Sequence, residues 1–243
     1  MIKLDQVTCS LGGHLVLSEI SFEVQEGEIL VILGASGSGK TTILRLILGL
    51  IRPDSGKIFV DGEEITQMSE RKLMAVRRNI GMVFQEGALF DSLTVGENIA
   101  FSFREQGTMS EEAIEERVRK ILGFVDMVET IDMMPDELSG GMKRRVGIAR
   151  ALAAHDPKII LYDEPTTGLD PITAHTICEL IAKLRDFQKV CSVMVTHQLK
   201  DAFKVANRFI VLNDCRIIFE GTGEELKSAT DAYIQKFFQR SLR

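Results

Sequence analysis

The sequence contains no tryptophan, only two tyrosines and four widely spaced cysteines among 243 residues. No two of Cys9, Cys178, Cys191 and Cys215 make a C-x-x-C pair, and the four histidines do not cluster with them. That excludes a sequence-legible zinc knuckle and leaves reduced structural thiols of a cytosolic protein as the expectation. No long apolar run is present: Ile29 to Leu33 falls far short of the ~20 residues needed to cross a bilayer. Met1 leads straight into an alternating Ile2–Val7 stretch, with no basic-then-apolar leader. An excess of positive charge is missing too. Twenty-nine Lys and Arg face 35 Asp and Glu, a formal charge of -6, which argues against a large nucleic-acid footprint. Internal repeats, low-complexity tracts and long linkers are absent. What remains is an ordinary globular composition, 45% apolar, long enough for one domain with a subdomain.

Residues 1–33 read as strands, and the five apolar residues Ile29–Leu33 suggest a strand buried on both faces. Ile43, Leu46, Ile47 and Leu50 fall at helical spacing, and Arg52–Gly56 is a turn. Lys57–Val60 and Ile80–Phe84 read as further strands. From about 86 to 155 the pattern becomes helical, with Ser110–Leu122 acidic at its start and Lys143–Ala154 basic at its start. This block is expected to be a helical subdomain inserted into an α/β core. The core resumes at the strand Ile159–Tyr162. A helix over Ile172–Arg185, a strand over Val190–Val195 and a helix from Asp201 follow. Then come a hairpin turning at Asn213-Asp214 and a final helix over about 224–239.

Gly34-Ala35-Ser36-Gly37-Ser38-Gly39-Lys40-Thr41 fits the phosphate-loop pattern G-x-x-x-x-G-K-[ST], and lies between a buried strand and an apolar helix opened by Thr42. Glycines let successive N–H groups converge on phosphate oxygens, and the helix N-terminus favours negative charge. Lys40 can reach the β- and γ-phosphates and the Thr41 hydroxyl can ligate Mg²⁺. The strand Ile159–Tyr162 ends in Asp163-Glu164. Beside a phosphate loop, Asp163 can hold Mg²⁺ and Glu164 can polarise the attacking water. Ser139 reads as a helix cap. The two glycines after it suit a helix start only where something approaches the backbone closely, and a phosphate from another subunit is such a thing.

With these segments in order, the sequence resembles the ATP-binding subunit of ABC transporters over about residues 1–223. Leu138-Ser139-Gly140-Gly141 matches the signature motif, Gln85 the Q-loop, Gly168-Leu169-Asp170 the D-loop and His197 the switch histidine. The resemblance implies an α/β phosphate-loop core, an antiparallel β-subdomain and an inserted α-helical subdomain, the whole of 1–243 forming one nucleotide-binding domain. It implies an ATP-sandwich homodimer, with Ser139, Gly140 and Gly141 of one subunit on the nucleotide of the other. It also implies roles. Gln85 would sense the γ-phosphate and Mg²⁺, His197 would contact the γ-phosphate, and Asp170 would link the subunits near the attacking water.

Two departures stand out. Leu11 occupies the place where the family usually stacks an aromatic on adenine; it can pack on the base but has no π-face, which leaves GTP use open. Met142 replaces the usual signature Gln. Leu138–Met142, Gln85–Val95, Asp170–Thr173 and Tyr233–Phe238 are together similar to the ATPases of MCE-associated, Mla-type phospholipid transporters. That narrower resemblance implies an integral membrane permease as partner, an MCE-domain envelope protein, contact with a small accessory protein, and a peripheral place on the cytoplasmic face of the inner membrane. Exposed Ala88-Leu89-Phe90 would suit permease docking, or would fill the helical subdomain. Alternatives are an ABC ATPase for another substrate, a soluble non-transport ABC ATPase and an inactive regulatory module. His14, His155 and His175 read as surface or packing residues.

Overall fold

The computed structural model describes residues 1–154 and 157–241. Strands β1 (Ile2–Leu11) and β2 (His14–Val24) pair antiparallel, turning at Gly12-Gly13, where both φ angles are positive. Strand β4 (Ser55–Val60) joins the other edge of β1 and carries the two-residue β5 (Glu63–Glu64). The four form one antiparallel sheet in the order β2-β1-β4-β5. Gly56 is obligatory in this register, because a Cβ there would lie 2.4 Å from the Gln6 carbonyl oxygen.

The second sheet holds β3 (Ile29–Leu33), β6 (Ile80–Val83), β7 (Ile159–Asp163), β8 (Cys191–Thr196), β9 (Arg208–Asn213) and β10 (Arg216–Gly221). Its order is β10-β9-β3-β8-β7-β6, parallel except for the edge hairpin of β9 and β10. That hairpin turns on Asp214-Cys215, both at positive φ, one residue later than the sequence suggests.

Alternation along β3 explains the layering. Leu30 and Ile32 point into a core shared with the antiparallel sheet and helix α1 (Lys40–Ile47). Ile29, Val31 and Leu33 point into the opposite core, built by α3 (Val95–Gln106), α4 (Glu111–Phe124), α5 (Gly140–Leu152), α6 (Pro171–Gln188) and α7 (Leu199–Val205). Helix α2 (Glu70–Arg77) buries only Leu73. Leu50 lies beyond the end of α1 and is exposed, so the apolar stripe read from the sequence stops at Ile47.

The block expected over about 86–155 contains α3, α4 and α5, and its last residue, His155, lies outside the described residues. Val95, Ile99, Ile114 and Val118 share one core with Val83, Ile160 and Tyr162, so the helices are fused to the sheet's core rather than set apart from it. The single helix expected over about 224–239 is two: α8 (Gly223–Ser228) and α9 (Ala232–Ser241). The break follows from local competition for the backbone. Ser228 Oγ turns back onto the Glu224 and Glu225 carbonyls, and Asp231 Oδ1 accepts from the Tyr233 and Ile234 N–H groups to start a new helix.

Candidate active site

The parallel register brings four chain segments to one edge. Leu33 aligns with Thr196, Asp163 with Val195 and Val83 with Tyr162, so the loops after β3, β7, β8 and β6 leave the sheet side by side. Ligands of open α/β sheets bind at such carboxyl ends. A cavity of about 700 Å³ lies there, lined by Leu11 and Val16, by Ala35, Ser36, Gly37, Gly39, Lys40, Thr41 and Thr42, by Gln85, Asp163, Glu164 and His197, and by Phe237 of α9.

Gly39 caps α1 at φ 97° and supplies no side-chain acceptor, so the first N–H groups of the helix are left for a ligand. Ser38 Oγ in the same loop is buried with no partner among the described residues. Gly34 lies beneath the loop, where a Cβ would press on Ser38 Oγ at 2.6 Å. Lys40 is 7% exposed, and its ammonium folds back to donate to the Gly34 and Ala35 carbonyls at 2.9 and 3.0 Å. Burial pulls its pKa down; Glu164 and Asp163 pull it the other way without cancelling the effect.

Thr41 Oγ1 donates to Asp163 Oδ1 at 3.2 Å, tying the phosphate loop to the tip of β7 across 122 residues of sequence. Burial pushes the Asp163 carboxyl up, and the Thr41 hydrogen bond opposes this. Glu164 adopts a left-handed φ of 49°, a strained conformation for a non-glycine residue. The strain aims its carboxylate at a ring of donors. Oε2 accepts from Thr167 Oγ1 at 2.8 Å, Thr196 Oγ1 at 3.1 Å and the His197 N–H at 3.3 Å; Oε1 lies 2.9 Å from His197 Nδ1 and 3.8 Å from Lys40 Nζ. A carboxylate only accepts, so Nδ1 carries the donated proton. Burial alone would raise the Glu164 carboxyl, but the hydrogen bonds from His197 and Thr167 and the charges of His197 and Lys40 hold it below its ordinary value.

These residues suit a triphosphate with a divalent cation. The cavity offers the Lys40 ammonium and free N–H groups to phosphate, yet it also holds two carboxylates that would repel it. A hard cation between them removes that repulsion, and the oxygens of Thr41, Asp163 and Gln85 are the donors Mg²⁺ prefers. Among the described residues no group of three His, Cys, Asp or Glu side chains is placed to hold a metal ion.

Other expected site residues lie elsewhere. Asp170 caps α6, its Oδ1 accepting from Ile172 N and Thr173 N at 3.0 Å each. Ser139 caps α5 through Met142 N at 3.3 Å, so its capping reading holds within this chain. Neither residue, nor Gly140 or Gly141, lines the cavity. The close neighbour of Gly141 is Thr173 of the same chain, whose Cγ2 would meet a Cβ at 2.3 Å; Gly140 is more open, with Leu169 at 3.7 Å. Ala88 and Phe90 are exposed whereas Leu89 packs on the core, so within the trio the filling role falls to Leu89. His14 and His175 are exposed. Sequence reasoning passed over Thr167, Thr196 and Phe237. The two hydroxyls flank motif residues, which was their one signal; Phe237 reaches the cavity only through the break before α9.

A profile of the ABC transporter family matches residues 17–167. The chain belongs to the ABC transporter family. Within it, the protein is an ATP-binding, ATP-hydrolysing transporter subunit. It is 37% identical to the intermembrane phospholipid transport system ATP-binding protein MlaF of Haemophilus influenzae, over 98% of this chain and 90% of that protein. It is 43% identical to the methionine import ATP-binding protein MetN of Carboxydothermus hydrogenoformans, over 84% of this chain and 60% of that one. The solved dimeric structure of a post-hydrolysis state of the ATP-binding cassette MJ0796 bound to ADP and Pi superposes with a TM-score of 0.83 at 35% identity, covering 91% of this chain and 98% of that one. No helix among the described residues is long and apolar enough to cross a membrane.

Proposed function

We propose that this ABC ATPase powers a permease that moves phospholipid, working as a head-to-tail homodimer on the cytoplasmic face of the inner membrane. The observation that carries the lipid reading is the 37% identity to MlaF along 98% of the chain. The signature variant Leu138–Met142 and the Gln85–Val95 segment support it from within the sequence. The dimer is supported by the signature segment's absence from its own chain's cavity, and by the dimeric form of the MJ0796 cassette. A second copy would lay Ser139, Gly140 and Gly141 on the nucleotide, with Asp170 near the shared surface.

In this reading Glu164 takes the proton of the attacking water, and Lys40 and the loop N–H groups offset charge developing on the phosphates. His197 and Gln85 orient the γ-phosphate region, and Leu11 packs on the base. Thr41, Asp163 and Gln85 would hold Mg²⁺, which would supply neutralisation of the phosphates' negative charge. Exposed Phe90, in a tilted ring pair with Phe101 at 5.0 Å, offers the permease an apolar seat. An MCE-domain envelope protein completes the assembly.

The test is to isolate the tagged protein from gently solubilised membranes and identify stoichiometric partners by mass spectrometry. An integral permease with an MCE-domain protein is the expected outcome. A permease of another kind would replace the lipid substrate while leaving the ATPase reading in place.

A further inference from the structure

Arg144 stands on α5 five residues after Ser139 and is 6% exposed. Its guanidinium donates from Nη1 to the Phe84 carbonyl at 3.3 Å and from Nη2 to the Thr167 carbonyl at 2.9 Å. Nε is buried with no partner among the described residues. Burial lowers the Arg144 pKa, and the charge of Glu86 opposes this without restoring it. A buried cation with an orphaned N–H is a costly way to fill space, since an apolar side chain would fill it without that cost. What the guanidinium achieves, and an apolar side chain could not, is a planar bridge between two backbone carbonyls. One belongs to the residue before Gln85. The other belongs to Thr167, whose hydroxyl donates to Glu164 Oε2 at 2.8 Å and whose N–H donates to the Glu164 carbonyl at 3.3 Å.

We propose that Arg144 and Thr167 are positioning residues that transmit the placement of the α5 N-terminus to the Glu164 carboxylate. The proposal rests on the reading of Glu164 as the group that activates water. Neither residue lines the cavity, so neither touches substrate. Helix α5 is a continuous rod from Gly140 to Leu152. A shift at Ser139–Gly141, where the partner's nucleotide would dock, therefore reaches Arg144 about one turn away, and through it the Thr167 carbonyl. Thr167 links that carbonyl to Oε2 within one residue. Each site's catalytic carboxylate is thereby set by the signature segment of its own subunit, which reports on the nucleotide in the other site.

The test uses the assembled transporter and reads kcat and KM for ATP. Thr167→Val should lower kcat about tenfold with KM nearly unchanged, the behaviour of lost transition-state positioning. Thr167→Ser should restore kcat. Arg144→Met should cost a similar factor alone but less than about threefold in the Thr167→Val background, since residues on one path are not additive. Where Arg144→Met fails to fold, Arg144→Lys, which keeps the charge and loses the fork, should show the same non-additivity. An unchanged kcat in Thr167→Val, a loss that Thr167→Ser does not restore, or fully additive losses, would overturn the proposal while leaving Glu164 as the base. Near-normal turnover in Glu164→Gln would instead remove the base, and this proposal with it.

Discussion

Glu164→Gln changes one atom and leaves the shape of the side chain intact, so its consequences can be worked through donor by donor. Three donors converge on Oε2: the Thr167 and Thr196 hydroxyls and the His197 N–H. The backbone N–H cannot rotate away, so the amide oxygen must occupy this position. The new NH₂ then takes the place of Oε1, facing His197 Nδ1 at 2.9 Å and Lys40 Nζ at 3.8 Å. His197 must switch its proton to Nε2 to accept from the amide, and Gln198, whose Nε2 lies 3.2 Å from that nitrogen, must flip its amide. The fold survives this rearrangement, and nucleotide binding persists or tightens because a negative charge beside the phosphates is gone. Turnover does not survive. Loss of a positioned general base costs about 10²–10⁴ in rate. Phosphate release by the assembled transporter measures kcat, nucleotide titration measures affinity, and ¹⁵N chemical shifts of the imidazole read the tautomer. A kcat within tenfold of wild type, or an imidazole that keeps its proton on Nδ1, would refute the reasoning.

Three further outcomes follow from the same geometry. Lys40→Ala removes a charge-assisted contact worth about 1.5–3 kcal/mol, so ATP affinity should fall about 10- to 100-fold by calorimetry; unchanged affinity would deny Lys40 its place on the phosphates. The Glu164 carboxyl is held below its ordinary value, so its stabilising contribution is present above the unfolded-state pKa and is lost as pH falls through the lower folded one. The urea-unfolding difference between wild type and Glu164→Gln should thus stay level from neutral pH to about pH 5 and shrink only in more acidic solution. Asn98 is fully buried on α3, accepting from Phe90 N at 2.7 Å and donating to the Phe90, Leu93 and Thr94 carbonyls. Asn98→Ala should destabilise the protein by about 2–3 kcal/mol in urea unfolding and loosen the Phe90 loop; a loss under 0.5 kcal/mol would show that water replaces those bonds.

The phosphate loop, the Asp163-Glu164 pair and the switch histidine were legible because each is a short motif at the end of a buried, mostly apolar strand, and strand ends are written locally. Helix α2 was not, because Glu70–Arg77 buries one side chain and presents no apolar stripe. Helix α3 carried a readable sign, the capping box of Thr94 and Glu97, obscured by the loop-like Asp91–Gly96 before and around it. The break between α8 and α9 turned on Asp231 acting as a cap within an otherwise helical pattern. The surroundings of Glu164 were hidden for a different reason. Lys40, Thr167, Thr196 and Arg144 come from four segments that only the parallel register of β3, β7 and β8 and the packing of α5 bring together. Spacing in one sequence does not encode that convergence. The signature glycines show the reverse case: the close approach they invite is met within the chain by Thr173, a neighbour the motif did not suggest.

The central claim is that hydrolysis at Glu164 drives phospholipid movement. Its most direct test is ATP-dependent transfer of labelled phospholipid by the transporter reconstituted in liposomes, with wild-type protein and Glu164→Gln side by side. The account predicts transfer that needs Mg²⁺ and ATP with the wild type and none with the variant. Equal transfer by both, or brisk ATP hydrolysis with no phospholipid moved, would contradict it.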